Sequence, residues 1–176
     1  MKRENYANSI FYGFYISNSL NITKWWDSLN EFSFSYKRVN PYLNIYIKDK
    51  YNSVNSYLRT NNNFIIGNQK KIFANINFSY YFPSKGEVEY DSRTLLGMGI
   101  KYLIYNKRIS LSIDFNDILN KNHFHSKTFT QNIYQTFNQY YDSHAFRISI
   151  SYKIGNNNLN INKRTNSNSD EQNRVN

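Results

Sequence analysis

The sequence contains no cysteine and only three histidines, His123, His125 and His144. No disulfide framework or thiolate metal site can form, and a metal site built on histidines would need carboxylate help. Proline occurs twice, at Pro41 and Pro83, glycine six times and valine four times. A soluble β-sandwich spaces Gly- and Pro-rich turns every ~8–12 residues and fills its inner faces with Val, Ile and Leu. This chain shows few valines and little glycine or proline, and places aromatics near its segment ends. No window approaches the roughly 18 uninterrupted apolar residues that a transmembrane helix needs. The start, MKRENYANSIFYGFY, has a charged head, but its apolar stretch is broken by Asn8, Gly13 and Ser17 and leads to no small-residue cleavage site, so no signal peptide is read. If the chain enters a membrane, it does so as strands.

What the sequence has instead is aromatics and asparagine. Of 176 residues, 17 are Tyr and 13 are Phe, bringing the aromatic share to 18%, far above what a disordered chain carries. The apolar share of 40% is below the globular norm. Asn fills about one position in six, which suggests many turns, since its side chain competes with the backbone inside regular elements. The net charge of +10 is either a basic surface for nucleic acid or anionic lipid, or Lys and Arg scattered over loops and strand ends.

The decisive feature is alternation with period 2, repeated along the chain. Phe146, Ile148, Ile150, Tyr152 and Ile154 share one face, with Arg147, Ser149, Ser151 and Lys153 on the other. A helix would mix the two sets. Ile109, Leu111, Ile113 and Phe115 likewise oppose Ser110, Ser112, Asp114 and Asn116, and Leu96, Met98, Ile100, Tyr102 and Ile104 oppose Gly97, Gly99, Lys101 and Leu103. Ile72, Ala74, Ile76, Phe78, Tyr80 and Phe82 oppose Asn75, Asn77, Ser79 and Tyr81, with Phe73 as an exception; Phe32, Phe34 and Tyr36 oppose Glu31, Ser33, Ser35 and Lys37. Weaker patterns begin at Ile10 and Tyr51. These readings predict seven strands, at 9–19, 27–38, 51–66, 70–82, 93–105, 108–117 and 144–154.

Such segments are roughly twice the usual length of about 5 or 6 residues in soluble proteins. They match the ~9–11 residues with which a tilted strand crosses the hydrocarbon layer, where the lumen side is free to be polar. Trp25, Trp26, Tyr80, Phe82, Tyr102, Tyr105 and Tyr152 lie near segment ends, as membrane-interface aromatics do. Connections alternate in length: Asn106-Lys107 and the region of Gly67-Asn68 are tight, whereas 39–50, 83–92 and 117–143 are long. The expected fold is all-β, a portion of an antiparallel transmembrane β-barrel with long extracellular loops and short periplasmic turns. Residues 1–155 would hold the strands and 156–176 a polar, disordered periplasmic tail.

No catalytic constellation is found, and an enzyme is not expected. Asp114 and Asp117 are close in sequence, but one falls on a polar strand face and the other at a loop edge. His123 and His125 with His144 could approach a metal, yet no local motif sets their geometry, and neither metal nor cofactor is expected. Gly97 to Gly99 lacks the Lys-Ser/Thr ending of a phosphate loop and sits inside a strand, where the small residues would leave room for a plug or loop in the lumen. Nucleic-acid binding would want aromatic and basic residues on one face, but here Phe146 and Ile148 oppose Arg147.

The run from Asp91 to Phe124, DSRTLLGMGIKYLIYNKRISLSIDFNDILNKNHF, with YYDSHAFRISISYKIG from Tyr140 to Gly155, resembles the C-terminal end of the outer-membrane β-barrels related to TonB-dependent receptors, of the type common in Bacteroidetes. The likeness covers most of residues 9–155. It implies that Phe115, Asn116 and Asp117, followed by Ile118, form the strand end and loop start of the penultimate strand. It also implies that Phe146 to Gly155 form the closing strand, with Tyr152 as a retained aromatic and Ile154 where the family usually has Phe. Implied partners are outer-membrane lipid, the barrel assembly machinery, and an N-terminal remainder of barrel and plug that these residues do not contain. Seven strands would be an odd number with two open edges, so the chain reads as part of a barrel. The implied function is import of a scarce nutrient, a metal chelate or an oligosaccharide. The alternatives are a structural or surface-exposed barrel without transport and a soluble β-sandwich binding module.

Overall fold

The computed structural model describes residues 7–42, 50–130 and 133–154. Within them the long alternating segments become the strands β1 (Ala7–Thr23), β2 (Trp26–Pro41), β3 (Tyr51–Ile66), β4 (Ile72–Tyr81), β6 (Arg93–Ile104), β7 (Ile109–Asn116) and β10 (Ala145–Tyr152). They lie side by side in chain order and every neighbouring pair is antiparallel. The strand bounds shift by up to four residues from the sequence expectation, because ladder pairing carries β1 and β2 past the end of clear alternation. The sheet is open among the described residues: the outer edges of β1 and β10 pair with nothing.

Three further short strands, β5 (Val88–Tyr90), β8 (His123–Thr130) and β9 (Ile133–Tyr140), form a second sheet of order β5-β8-β9. This corrects the expectation that 83–92 and 117–143 are plain loops. Polar residues occupy both faces of β9, in Tyr134-Gln135-Thr136-Phe137-Asn138-Gln139, so no hydrophobic alternation announces it. Backbone pairing to β8, from His123↔Tyr140 to Thr130↔Ile133, makes it a strand.

The short connections all fall at one end of the large sheet and the long ones at the other, the loop end. At the turn end, Lys24 and Trp25 join β1 to β2. Gly67, at φ 80°, opens the β3–β4 turn, which Lys70 N–H closes on the Gly67 carbonyl at 3.1 Å. Between β6 and β7, Asn106 and Lys107 both take positive φ (50° and 65°), as the central pair of a type I′ hairpin turn must, and Arg108 N–H donates to Tyr105 O at 2.9 Å.

There is almost no core. Val39 is the single buried hydrophobic side chain among the described residues, while more than thirty large apolar or aromatic ones stand exposed, Ile150 and Ile154 at 75% and 91%. A water-soluble sandwich of this size would bury most of them. Register explains the exposure. Pairs such as Phe14↔Phe34, Ile76↔Met98, Ile100↔Ile113 and Ile113↔Ile148 put most apolar residues of the seven strands on one face, with Phe11, Leu29, Ile65, Phe73, Leu95 and Leu103 on the other.

Aromatics gather at both ends of that face. Trp25, Trp26 and Phe64 form a three-ring cluster at the turn end, with the Trp26 centroid 6.3 and 5.8 Å from the other two, and Tyr102, Tyr105 and Tyr152 lie at the same end. Toward the loop end Tyr12 stacks on Tyr36 at 4.8 Å, Tyr80 meets Phe82 edge-on at 4.8 Å and Phe115 meets Phe146 at 4.9 Å.

Candidate functional site

The opposite face of the large sheet is polar, and its side chains bond across strands. The register brings Ser17 to Glu31, Glu31 to Arg59, Tyr57 to Tyr81 and Tyr81 to Arg93. Tyr15 Oη donates to Glu31 Oε1 at 2.8 Å, and Arg59 donates to Glu31 Oε2 at 3.1 Å and to Tyr81 Oη at 3.2 Å. Arg93 lies over the Tyr81 ring, 4.3 Å from its centroid, in cation–π geometry. Five residues from five strands thus form one transverse ladder. The Arg59 side chain keeps 39% of its surface exposed, so its ion pair adds about 1 kcal/mol or less, and its main effect is to orient the two tyrosines. Arg93 forms no ion pair among the described residues.

Gly97 and Gly99 also point to this face. A Cβ on Gly99 would overlap Asn75 Oδ1 and Asp114 Oδ1 from the two flanking strands. At Gly99 the space expected for a plug or loop is taken by these two side chains, whereas a Cβ on Gly97 would meet only the Phe115 carbonyl at 3.3 Å and Asn116 Oδ1 at 3.9 Å.

At the loop end the second sheet borders this face. Tyr51 Oη donates to Glu87 Oε2 at 2.8 Å, the Ser53 and Ser84 hydroxyls lie 3.4 Å apart, and Ser84 and Tyr90 exchange two backbone bonds of 3.0 and 2.8 Å. Tyr90 and Phe137 flank Phe124 at 5.4 and 6.0 Å. Between the sheets lies a cleft of about 370 Å³, lined by the Tyr57, Tyr81, Tyr90 and Phe124 rings and by Asp91 and Arg93. Asp91 is bonded to His125 Nδ1, and this partner holds its carboxyl below the usual range. Ring faces beside a guanidinium, a carboxylate and the nearby Asn55 and Ser35 can hold a polar, hydroxyl-bearing or anionic small molecule.

The residues singled out by resemblance separate into two groups. Phe115, Asn116, Asp117 and Phe146 meet at the loop end of β7 and β10, in the pairs Phe115↔Phe146 and Asn116↔Ala145. Tyr152 and Ile154 lie at the opposite end of β10, Tyr152 across from Ile109; Gly155 is outside the described residues, as is the tail 156–176. Asp117, 4% exposed and at φ 46°, is a loop anchor. Its carboxylate accepts from Lys121 N–H (3.1 Å), Asn122 N–H (3.2 Å) and the Ser143 hydroxyl (2.8 Å), and its carbonyl lies 2.8 Å from His144 Nδ1. It thereby pins together the two stems of the connection that carries β8 and β9.

The histidines go to three different partners, His123 to the Tyr140 ring at 5.0 Å, His125 to Asp91 and His144 to Asp117. No group of three metal-ligating side chains occurs among the described residues. The ladder itself escaped sequence reading. Glu31 was visible on a polar strand face, but nothing local says that Arg59, twenty-eight residues later, stands opposite it.

Compared with known protein families, residues 1–152 match the outer membrane protein beta-barrel family. No curated protein and no solved structure matches the chain.

Proposed function

The chain belongs to the outer membrane protein beta-barrel family and is located in the outer membrane, and from that premise we propose that its large sheet is a stretch of the wall of a nutrient-uptake barrel. In this reading the apolar face meets lipid, the Tyr15–Glu31–Arg59–Tyr81–Arg93 face lines the lumen, the turn end is periplasmic and the loop end is extracellular. The observation that carries it is the division of the seven strands into a predominantly apolar face with aromatic ends and a predominantly polar, hydrogen-bonded face, with no core between. A water-filled barrel requires that division.

Six successive antiparallel pairings make β1 and β10 run in the same direction. Closure by antiparallel pairs alone then takes an odd number of additional strands, in keeping with an even total. The likeness of Asp91 to Phe124 to TonB-dependent receptors favours a plugged barrel with energised import, assembled by the barrel assembly machinery. The cleft under the second sheet favours capture of a metal chelate or an oligosaccharide, with binding and passage and no chemical conversion.

The test is uptake by cells that carry the protein, with metal chelates and oligosaccharides supplied in turn as the limiting nutrient. Replacing Arg93 with Ala should reduce uptake of one of them while the barrel stays folded, as judged by heat-modifiable migration in gels. Equal uptake by wild type, by R93A and by cells lacking the protein would point to a structural barrel without transport.

A further inference from the structure

Within the apolar band of the outward face, where Ser56 opposite Phe34 is an isolated polar residue, one island of polar side chains stands out. In it Asn18 stands opposite Asn30 and Asn30 opposite Thr60; one row nearer the turn end, Leu20 stands opposite Ser28 and Ser28 opposite Asn62. Five polar side chains from three adjacent strands are therefore neighbours in register. Apolar residues surround them on three sides: Ile16, Phe32 and Leu58 toward the loop end, Trp26 and Phe64 toward the turn end, and Phe78 and Ile76 on β4. The fourth side is the edge of β1.

The island bonds within itself only in part. Asn30 Nδ2 donates to Ser28 Oγ at 3.0 Å, Asn62 Nδ2 to Thr60 Oγ1 at 3.0 Å and Trp26 Nε1 to Asn62 Oδ1 at 3.1 Å. Among the described residues the Asn18 carboxamide and Asn30 Oδ1 have no side-chain partner. In hydrocarbon there is no water to replace one, and an amide without a partner there is strongly unfavourable. Asn30 lies four residues from Trp26 and six from Tyr36, the aromatics that bracket this face of β2. At ~3.4 Å per residue and a tilt near 40° it is about 10 Å inside one border and about 15 Å inside the other. This depth excludes lipid headgroups as partners.

We propose that this island is the contact through which two copies of the protein pair side by side in the membrane. It contains no charged group, so it does not select an oppositely charged partner. It consists of carboxamides and hydroxyls, each both donor and acceptor, and is therefore complementary to itself. A two-fold axis along the membrane normal brings Asn18 and Asn30 of one copy to the same patch of the other while both keep the same orientation. Small polar side chains pairing across a membrane interface supply the bonds that lipid cannot.

The proposal rests on the apolar face being the lipid face, and the test separates the two. Thr60→Cys and, on the same face but at the far side of the sheet, Ile148→Cys are placed one at a time in the full protein in native outer membranes. Mild oxidation should cross-link T60C into a species of twice the protein's mass and leave I148C monomeric. Combined Asn18→Leu and Asn30→Leu substitution in the T60C background should abolish that species while heat-modifiable folding persists. A spin label at Thr60 gives the second readout. Relaxation by a lipid-soluble agent with no cross-link, or a cross-link to a protein of another mass, overturns self-pairing and leaves the face assignment intact. Relaxation by a water-soluble agent overturns the face assignment itself.

Discussion

Ile113 lies on the apolar face of β7, between Ile100 of β6 and Ile148 of β10, and is 36% exposed in the isolated sheet. It is four residues from Ile109 at the turn end, so at ~3.4 Å per residue and a tilt near 40° it lies about 10 Å into an apolar band ~25 Å tall. A lysine there should cost nearly the midplane penalty, roughly 2–3 kcal/mol. That is about a 30- to 150-fold shift of the folding equilibrium toward the unfolded state. Were the same face in contact with water, Ile113→Lys would replace a partly exposed side chain and cost about 0.5 kcal/mol or less. Ser112→Lys is the internal control, since Ser112 faces the polar side between Lys101 and Ser149. The like charge of Lys101 directly opposite adds a penalty, of about 1 kcal/mol at most. The assay is reversible urea unfolding of the full protein in lipid vesicles, followed by tryptophan fluorescence. A change below about 0.5 kcal/mol for Ile113→Lys, the range of an ordinary surface substitution, or a larger loss for Ser112→Lys, would refute the assignment of faces.

Single cysteines at Lys85 and Lys127 should react with an impermeant thiol reagent on whole cells and one at Lys107 should not; the reverse pattern would invert the barrel. Asp117→Ala removes the acceptor of three hydrogen bonds, costs about 1–3 kcal/mol locally, and should expose the β8–β9 connection to protease on intact cells while the barrel band survives. Gly99→Ala sets a methyl group against Asn75 and Asp114 and should lower stability by about 1–3 kcal/mol, measured as a lower urea midpoint. The Asp91 carboxyl is held low by His125, so its contribution is present above the ordinary value of about 3.9 and is lost as pH falls below it. Protease resistance of the β5–β8 contact should therefore fall in acid below that value, and Asp91→Asn should remove this acid loss.

Which parts of this were legible beforehand follows from the range of each interaction. Alternation from Phe146 to Tyr152, or from Ile109 to Phe115, reports how successive Cβ atoms point, a property of each strand alone, and it placed the large-sheet strands within a few residues. The turn at Asn106-Lys107 was equally local, because both residues must tolerate positive φ. The strands β8 and β9 were missed because Gln135, Thr136 and Asn138 give no apolar rhythm and their pairing is what orders them.

By itself, then, the sequence determined a set of long amphipathic strands, their order and their sorted connections, since each depends on neighbours along the chain. Tertiary structure alone decided which residues meet across strands. Glu31 beside Arg59, Arg93 over Tyr81, Asp117 joined to Ser143, and Asn18 in line with Asn30 and Thr60 all depend on register. A register is a sum over a whole ladder of backbone and side-chain pairs, and a slip of one residue would move every side chain to the other face.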